Sequence, residues 1–481
     1  MNFAILSFII GFILQFEALF LLLPWIVGMI YGEYHVALIY LVTAAVCFIL
    51  GKLLSFRHTG RFKELYVREG FTAVALGWFV MSVFGAIPFV LTGEIPFYID
   101  ALFETISGFT TTGSSILSDV EALSYASLFW RSFTHWIGGM GVLVFLLSLL
   151  PLTGGSHVNL MKAESPGPSV TRLVPKVKST AKILYMIYIV LTIIEIFLLL
   201  FGGMPLFDSI TLSLGTAGTG GFGIKNDSIA GYSTYCQVII TIFMILFGIN
   251  FNAYFLILIR KFRQAWESEE VRAYLLIIAA ATLAITFNVR GYFSSFAQAF
   301  QQTIFQVASI ITTTGYATTN FDLWPEFSRT ILVLLMFVGA CAGSTGGGIK
   351  VSRILILLKT VKKELIQLLH PRSVRRIQID GKAIEHEVVR STNVYMGVYI
   401  FIFAFSMLLI ALNNFDLITN FSAVAATLNN IGPGLSLVGP IGNFSMFSDF
   451  SKLVLIFDML AGRLELFPLL LLFVPNTWKR F

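Results

Sequence analysis

Long apolar segments alternate with short polar stretches along the whole chain. Runs such as Ile183–Leu200, Val238–Ile259 and Tyr395–Leu412 reach the roughly 18 residues that a membrane-spanning helix requires. The strand-type alternation of an outer-membrane barrel, in blocks of about ten residues, does not occur in the sequence. The pattern therefore predicts an all-α integral membrane protein.

Four of the polar stretches share an unusual composition, rich in Thr, Gly, Ser and Asn. They read TTTGSS at 110–115, GTGGFG at 218–223, TTTGYA at 312–317 and NNIGPG at 429–434. Each follows a mixed segment too short to cross a bilayer, which is tolerated only where protein or water satisfies its free ends. We predict a pore helix and re-entrant loop at each position, aligned on the four glycines Gly113, Gly220, Gly315 and Gly432.

The repeat of helix, pore loop and helix divides the chain into five parts. We expect an N-terminal helix pair at 1–69, followed by pore units at 70–160, 161–265, 266–375 and 376–481. This gives ten spans and four re-entrant pore helices, with all four units parallel to one another. Four such units can close around one central pore.

Composition and charge support this interpretation. The chain is 57% hydrophobic and 12% charged, against about 25% charged residues in soluble domains. Most of the 32 Lys and Arg residues fall on one side of the predicted spans, whereas the four pore-loop regions contain a single basic residue, Lys225. The positive-inside rule then places both termini in the cytoplasm, provided that each loop returns to its own side.

Other classes of protein find little support in the sequence. The cysteines Cys47, Cys236 and Cys341 are far apart and form neither a disulfide framework nor a metal-ligand spacing. No HExxH, GxSxG or GxxxxGKS motif occurs, since the GGGIKVS stretch lacks the required spacing. We expect neither an enzyme nor a nucleic-acid partner.

The four loops carry the chemistry that a cation pore requires. Backbone carbonyls arranged around an axis can replace the water of a dehydrated cation, and glycine adopts the unusual dihedrals that such a loop needs. The half-negative C-terminal ends of the pore helices also favour a cation. The predicted ligands are Thr111, Thr112, Gly113, Gly218, Thr219, Gly220, Thr313, Thr314, Gly315, Asn430, Ile431 and Gly432.

Two further features lie in the predicted inner helices. The third contains GACAGSTGGGIK at 339–350, and because each glycine costs a helix roughly 1 kcal/mol relative to alanine, we predict a break there. Close helix packing through small residues is the alternative. Arg463 lies near the middle of the last span, where a charge is costly, and an ion pair with another helix is one explanation for it.

The four units, the one aligned glycine per loop and the N-terminal helix pair resemble the TrkH branch of the Trk/Ktr/HKT superfamily of potassium transporters. The resemblance covers essentially the whole chain. It implies a potassium ion as the cargo. The glycine of the first pore loop, Gly113, favours potassium over sodium. The resemblance also implies a gate under the filter, formed here by Gly343, Gly346, Gly347 and Gly348 together with Arg463 facing the pore.

The resemblance further implies partners and a location. It points to a homodimer in a bacterial inner membrane, in contact with lipid. The basic stretch 350–390 would dock either lipid headgroups or a ring of cytosolic nucleotide-binding RCK subunits of the TrkA type. The mechanism stays open between a passive gated channel and uptake coupled to protons or sodium, for which the buried acids Glu17, Glu195 and Asp458 are candidates.

Overall fold

The computed structural model describes residues 1–56, 67–141, 177–372 and 375–479. Across these residues the chain is mostly helical. Six helices are long and apolar enough to cross a membrane, and a bent helix pair would make a seventh. The predicted all-α membrane fold is confirmed.

The other regular elements of the described chain are short. One antiparallel hairpin pairs Gln378–Ile379 with Lys382–Ala383. Short 3-10 helices occupy Arg290–Tyr292, Phe321–Leu323, Ala411–Asn413, Ser436–Val438 and Leu471–Phe473.

The N-terminal helix pair comprises Phe3–Ile30 and Tyr34–Phe56. The two helices pack along each other, and the first also contacts the first pore unit. In the turn between them, the carboxylate of Glu33 accepts hydrogen bonds from the N–H groups of Tyr125 at 2.8 Å and Ala126 at 3.1 Å. These N–H groups open the inner helix of the first unit, so the pair is anchored to that unit.

The first pore unit has an outer helix at Val67–Gly85 that continues as Ile87–Leu91. Pore helix 1 is Tyr98–Phe109 and inner helix 1 is Tyr125–Gly139. The predicted continuation of the inner helix to Leu150 lies outside the described residues.

The second unit has its outer helix at Val177–Phe201 and pore helix 2 at Leu206–Gly218. Inner helix 2 is Thr234–Phe247 and meets a second segment, Phe251–Leu258, at 91°. A five-residue helix, Phe262–Trp266, follows. The sequence pattern predicted one continuous span here, and this was wrong because the run contains no proline at the bend, and Gly248 and Asn250 alone are a weak signal.

The third unit has its outer helix at Glu269–Val289 and pore helix 3 at Phe296–Ile311. Inner helix 3 is Glu326–Val338, and a second helix resumes at Val351–Leu369. The predicted break at the glycine run is confirmed. We call the intervening residues, Gly339–Lys350, the break segment.

The fourth unit has its outer helix at His386–Ile410 and pore helix 4 at Leu417–Leu428. Inner helix 4 is Asp449–Arg463. It is followed by two short helices, Phe467–Leu470 and Pro475–Trp478.

Inner helix 4 is also shorter than the sequence pattern predicted, which was one span to Val474. Glu465 and Leu466 have φ of 56° and 68°, values that an α-helix of L-residues does not accommodate. The four inner helices thus contain 15, 14, 13 and 15 residues. At about 1.5 Å per residue, each covers less than the roughly 30 Å of a hydrocarbon core.

The four units close into a ring. Each inner helix packs on its own pore helix and on one other: inner helix 1 contacts pore helix 2, inner helix 2 contacts pore helix 3, and inner helix 3 contacts pore helix 4. Inner helix 4 completes the circuit by packing on pore helix 1. The four pore helices therefore surround a common centre, to which their C-terminal loops belong.

Candidate functional site

All four pore helices end in the same backbone turn. The first loop residue with positive φ is Thr111, Thr219, Thr313 or Asn430, at 55°, 54°, 58° and 54°. A left-handed conformation is uncommon for a β-branched residue such as threonine and marks local strain. Three of the four loops place threonine there, so the same strained turn is built three times from the same residue type.

The hydrogen bonds of the four turns also match. The next N–H along each loop donates to the carbonyl five residues earlier, at 2.8 to 2.9 Å in every case. The pairs are Thr112 to Ser107, Gly220 to Gly215, Thr314 to Ser309 and Ile431 to Ala426. This is the Schellman-type helix end, in which an αL residue closes the last turn.

A second positive φ follows two residues after the first, and here the residue is always glycine. Gly113, Gly221, Gly315 and Gly432 have φ of 79°, 81°, 84° and 101°. The equivalent glycine of the second loop is therefore Gly221. Our alignment on Gly220 was wrong by one residue, because the GG pair in GTGGFG offers two choices that composition cannot separate.

Each of these four glycines packs against a backbone carbonyl of the next loop, and together these contacts form a closed ring. A Cβ on Gly113 would overlap the carbonyl oxygen of Gly220, and one on Gly221 would overlap that of Thr314. A Cβ on Gly315 would overlap the carbonyl of Ile431, and one on Gly432 would lie 2.9 Å from that of Thr112. Each glycine thus abuts the carbonyl that precedes the glycine of the next loop, and the fourth loop returns to the first.

The predicted ligand residues lie in the four loops of this ring, except Gly218, which ends pore helix 2. A Cβ on Gly218 would overlap the backbone carbonyl of His135. Gly220 keeps its carbonyl in the ring, but its own α-carbon faces the His135 imidazole. His135 stacks on Phe222 with ring centroids 4.2 Å apart. Both glycines therefore also serve close packing against inner helix 1.

Side chains tie the loops to each other. The hydroxyls of Thr110 and Thr112 are 2.7 Å apart, as are those of Thr312 and Thr314. Asn430 Nδ2 donates to Thr112 Oγ1 at 2.9 Å and so joins the fourth loop to the first. The hydroxyls act within and between the loops, which leaves the backbone as the main source of oxygen ligands.

An ion pair that the sequence did not reveal supports the first two loops. Arg131 on inner helix 1 pairs with Glu104 on pore helix 1 at 2.7 Å, and both side chains are buried. Glu104 also accepts from the N–H of Ile116 at 3.0 Å. Arg131 donates to the carbonyl of Gly223 at 3.2 Å and lies over Phe222. The pair therefore holds the ends of both loops.

Arg463 lies directly against the ring. Its guanidinium donates to Thr111 Oγ1 at 3.2 Å and to the carbonyls of Thr345 at 2.9 Å and Gly139 at 2.9 Å, and it also contacts the carbonyl of Gly138. Its partners are thus the last carbonyls of inner helix 1, the first loop and the break segment. Arg463 also lies over the Trp78 ring.

The acids near Arg463 in the sequence have other partners. Glu465 pairs with Arg353, which lies just after the break segment, and the Arg353 guanidinium is 4.0 Å from the centroid of the Tyr395 ring. Asp458 accepts from Ser406 Oγ at 2.6 Å.

The break segment packs against both the ring and the bend of inner helix 2. The N–H of Gly347 donates to Thr313 Oγ1 at 2.6 Å. A Cβ on Gly347 would lie 2.7 Å from the carbonyl of Asn429, and one on Gly346 would lie 3.0 Å from that of Thr312. Gly346 and Gly347 are thus in contact with the third and fourth loops, and neither has room for a side chain.

The bend of inner helix 2 exposes backbone groups that the break segment satisfies. Cys341 N–H donates to the carbonyl of Gly248 at 3.0 Å, and the N–H of Phe251 donates to the carbonyl of Gly343 at 3.0 Å. Thr345 Oγ1 donates to the carbonyl of Phe247 at 3.2 Å. Irregular backbone at membrane depth survives only where protein satisfies it, so the two irregular segments stabilise each other.

Some predicted features stand apart from the ring. Two acids in the loop after pore helix 3, Asp322 and Glu326, pair with Arg329 at 3.1 and 2.8 Å. Glu17 and Glu195 are fully buried. Over the described ranges, no group of three or more His, Cys, Asp or Glu side chains could hold a metal ion, so a cation at this site would depend on backbone and amide or hydroxyl oxygens.

The fold and site define a multi-pass helical membrane protein with four pore loops around one centre. Comparison with known proteins agrees: the TrkH family, described as cation transport protein, matches residues 40–480. The chain belongs to the TrkH family.

Its relatives include proteins named Trk system potassium uptake protein TrkH, from Salmonella typhimurium and Escherichia coli K12. Each is 36% identical over 100% of both chains. The crystal structure of the potassium transporter TrkH from Vibrio parahaemolyticus is similar over 100% of both chains, with a TM-score of 0.89 and 34% identity.

Proposed function

We propose that this chain is a potassium-conducting uptake subunit whose selectivity filter is the ring of four loops. The closed circuit of glycines and carbonyls carries the proposal. Four equivalent loops bring the carbonyls of Thr112, Gly220, Thr314 and Ile431 around one centre, and such carbonyls replace the hydration shell of potassium. The names of the relatives, potassium uptake proteins, support the choice of ion.

We propose that the break segment is the gate. Gly346 and Gly347 lie against loops 3 and 4 with no space for a side chain, so the segment obstructs the route beyond the ring. Glycine-rich backbone can rearrange at little steric cost. Arg463, which contacts the ring and the break segment together, adds an electrostatic barrier to cations at the same level.

The direct test is cation flux into liposomes that contain only the purified chain, with a potassium or sodium gradient and no pH gradient. We expect potassium flux well above sodium flux, and its loss in Gly113→Asp, which places a side chain in the ring. Gly397→Ala is the matched control, because a Cβ there meets nothing within 4 Å. Flux that appears only with a proton or sodium gradient would favour the coupled symporter instead.

Orientation and partners are part of the same proposal. The charge distribution supports cytoplasmic termini. The helix Val351–Leu369 exposes Leu358, Leu365 and Leu368, an apolar row that supports contact with another protein there. We propose a homodimer that also docks RCK subunits of the TrkA type. The mass of the purified chain in detergent, measured with and without such subunits, tests both contacts.

A further inference from the structure

One carboxylate holds the break segment near both of its ends. Glu270 is the second residue of the third outer helix and is 7% exposed. Its Oε1 accepts a hydrogen bond from the N–H of Ala342 at 2.7 Å and another from the N–H of Ser352 at 3.1 Å. Ala342 lies near the start of the segment and Ser352 just past its end, so a single oxygen draws the two together.

The same carboxylate reaches the bend of inner helix 2. The side chain of Asn250, at that bend, lies close to the Glu270 carboxylate. Asn250 also lies against Gly343 of the break segment. Glu270 therefore stands where the third outer helix, the bend and the break segment meet.

Contacts of the preceding residue fix the position of Glu270. Its neighbour Glu269 pairs with Lys359 and accepts from the N–H of Asp380 at 3.2 Å. Asp380 Oδ1 in turn accepts from the N–H of Glu269 at 2.7 Å. Asp380 lies in the turn of the 378–383 hairpin, so this hairpin is bonded to the first turn of the helix that carries Glu270.

We propose that Glu270 is a positioning residue for the break segment, and that the hairpin fixes the position of Glu270 through its contacts with Glu269. A displaced hairpin would move the carboxylate away from Ala342 and Ser352 and release the segment. Because the N–H groups of Ala342 and Ser352 converge on one oxygen, loss of this side chain would release both ends of the segment at once. The proposal rests on the gate role proposed above.

A native cysteine reports on the segment without any measurement of ion flux. Cys341 is in the break segment and fully buried. In a Cys47→Ala/Cys236→Ala background, the labelling rate of Cys341 by a small methanethiosulfonate measures how often the segment opens. The variants are Glu270→Ala, Glu270→Gln and Asp380→Ala. Glu267→Ala is the matched control, because that carboxylate is exposed and pairs with the exposed Arg263.

We expect Glu270→Ala to raise the labelling rate at least about tenfold, which corresponds to about 1.4 kcal/mol. Glu270→Gln keeps a neutral acceptor, and we expect the labelling rate to rise about threefold. If the alanine variant does not fold, this variant tests the positioning role. Asp380→Ala should also raise the rate by about threefold, and Glu267→Ala should not change it. An unchanged rate in the folded Glu270 variant overturns the positioning role, and an unchanged rate in Asp380→Ala overturns the hairpin link.

This outcome is separable from that of the proposed function. If the labelling rates change as expected while the liposomes show no selective potassium flux, the filter proposal fails and the positioning role of Glu270 stands. If flux is selective but labelling is insensitive to Glu270, the filter proposal stands and the positioning role of Glu270 fails.

Discussion

Of two adjacent glycines in the second loop, only Gly220 should tolerate alanine better when His135 is removed. Gly220 has no positive φ, and a Cβ there would overlap the His135 imidazole, a side chain. Gly221 has φ of 81°, and a Cβ there would overlap the Thr314 carbonyl, the backbone of the next loop. Removal of the imidazole therefore makes room beside Gly220 but not beside Gly221.

The expected magnitudes follow from these contacts. Overpacking costs roughly 1–3 kcal/mol, and Gly220→Ala should recover most of that cost in a His135→Ala background. Gly221→Ala pays roughly 1–2 kcal/mol for a left-handed L-residue in addition to the collision with the carbonyl, and His135→Ala offers no relief. The coupling energy of the double-mutant cycle should be about 1–3 kcal/mol for Gly220 and within about 0.5 kcal/mol of zero for Gly221.

The assay is the ratio of potassium to sodium flux in liposomes, with thermal unfolding of the same variants as a check on folding. Gly220→Ala should lower the ratio and His135→Ala/Gly220→Ala should restore much of it. Gly221→Ala should lower the ratio in either background. If Gly221→Ala is tolerated while Gly220→Ala abolishes selectivity irrespective of His135, the register of the second loop is Gly220 after all and our correction fails.

Three further predictions concern the residues around the ring. Arg463→Ala should raise potassium flux severalfold, because it removes the positive charge beside the ring, while Arg463→Lys should stay near the parent value; a loss of expression alone would mean a structural role. Deletion of Gly343–Gly348 should raise flux with the break segment shortened, and unchanged flux would remove its gate assignment. Arg131→Met leaves Glu104 buried without its cation, which costs about 3–5 kcal/mol; the thermal unfolding midpoint should fall clearly, and an unchanged midpoint would show that the pair does not brace the loops.

The sequence predicted those features that depend on local composition. Four loops between apolar segments, the break at the glycine run and an N-terminal helix pair follow from periodicity and from the conformational cost of glycine. The choice between Gly220 and Gly221 did not, because it depends on which glycine meets a neighbouring carbonyl. That contact joins residues about a hundred positions apart, which no local pattern records.

The bend of inner helix 2 and the roles of Glu104 and Glu270 were missed for the same reason. The stretch from Phe247 to Phe251 contains no proline, and its freed backbone groups are satisfied by a distant segment. In the sequence, Glu104 is a single acid in a predicted pore helix. Its role is visible only because the fold brings Arg131 beside it. Gly-Ile-Asn at 248–250, after an apolar run, is the one weak local signal of this bend.

The central claim is that the four loops form one potassium site, and the most direct measurement is the position of bound ions. Crystals of the protein grown with thallium, which substitutes for potassium, would locate them by anomalous scattering. The account predicts density at the centre of the ring, flanked by the carbonyls of Thr112, Gly220, Thr314 and Ile431. Density confined to positions elsewhere, such as the buried acid Glu195, with none at the ring would contradict it.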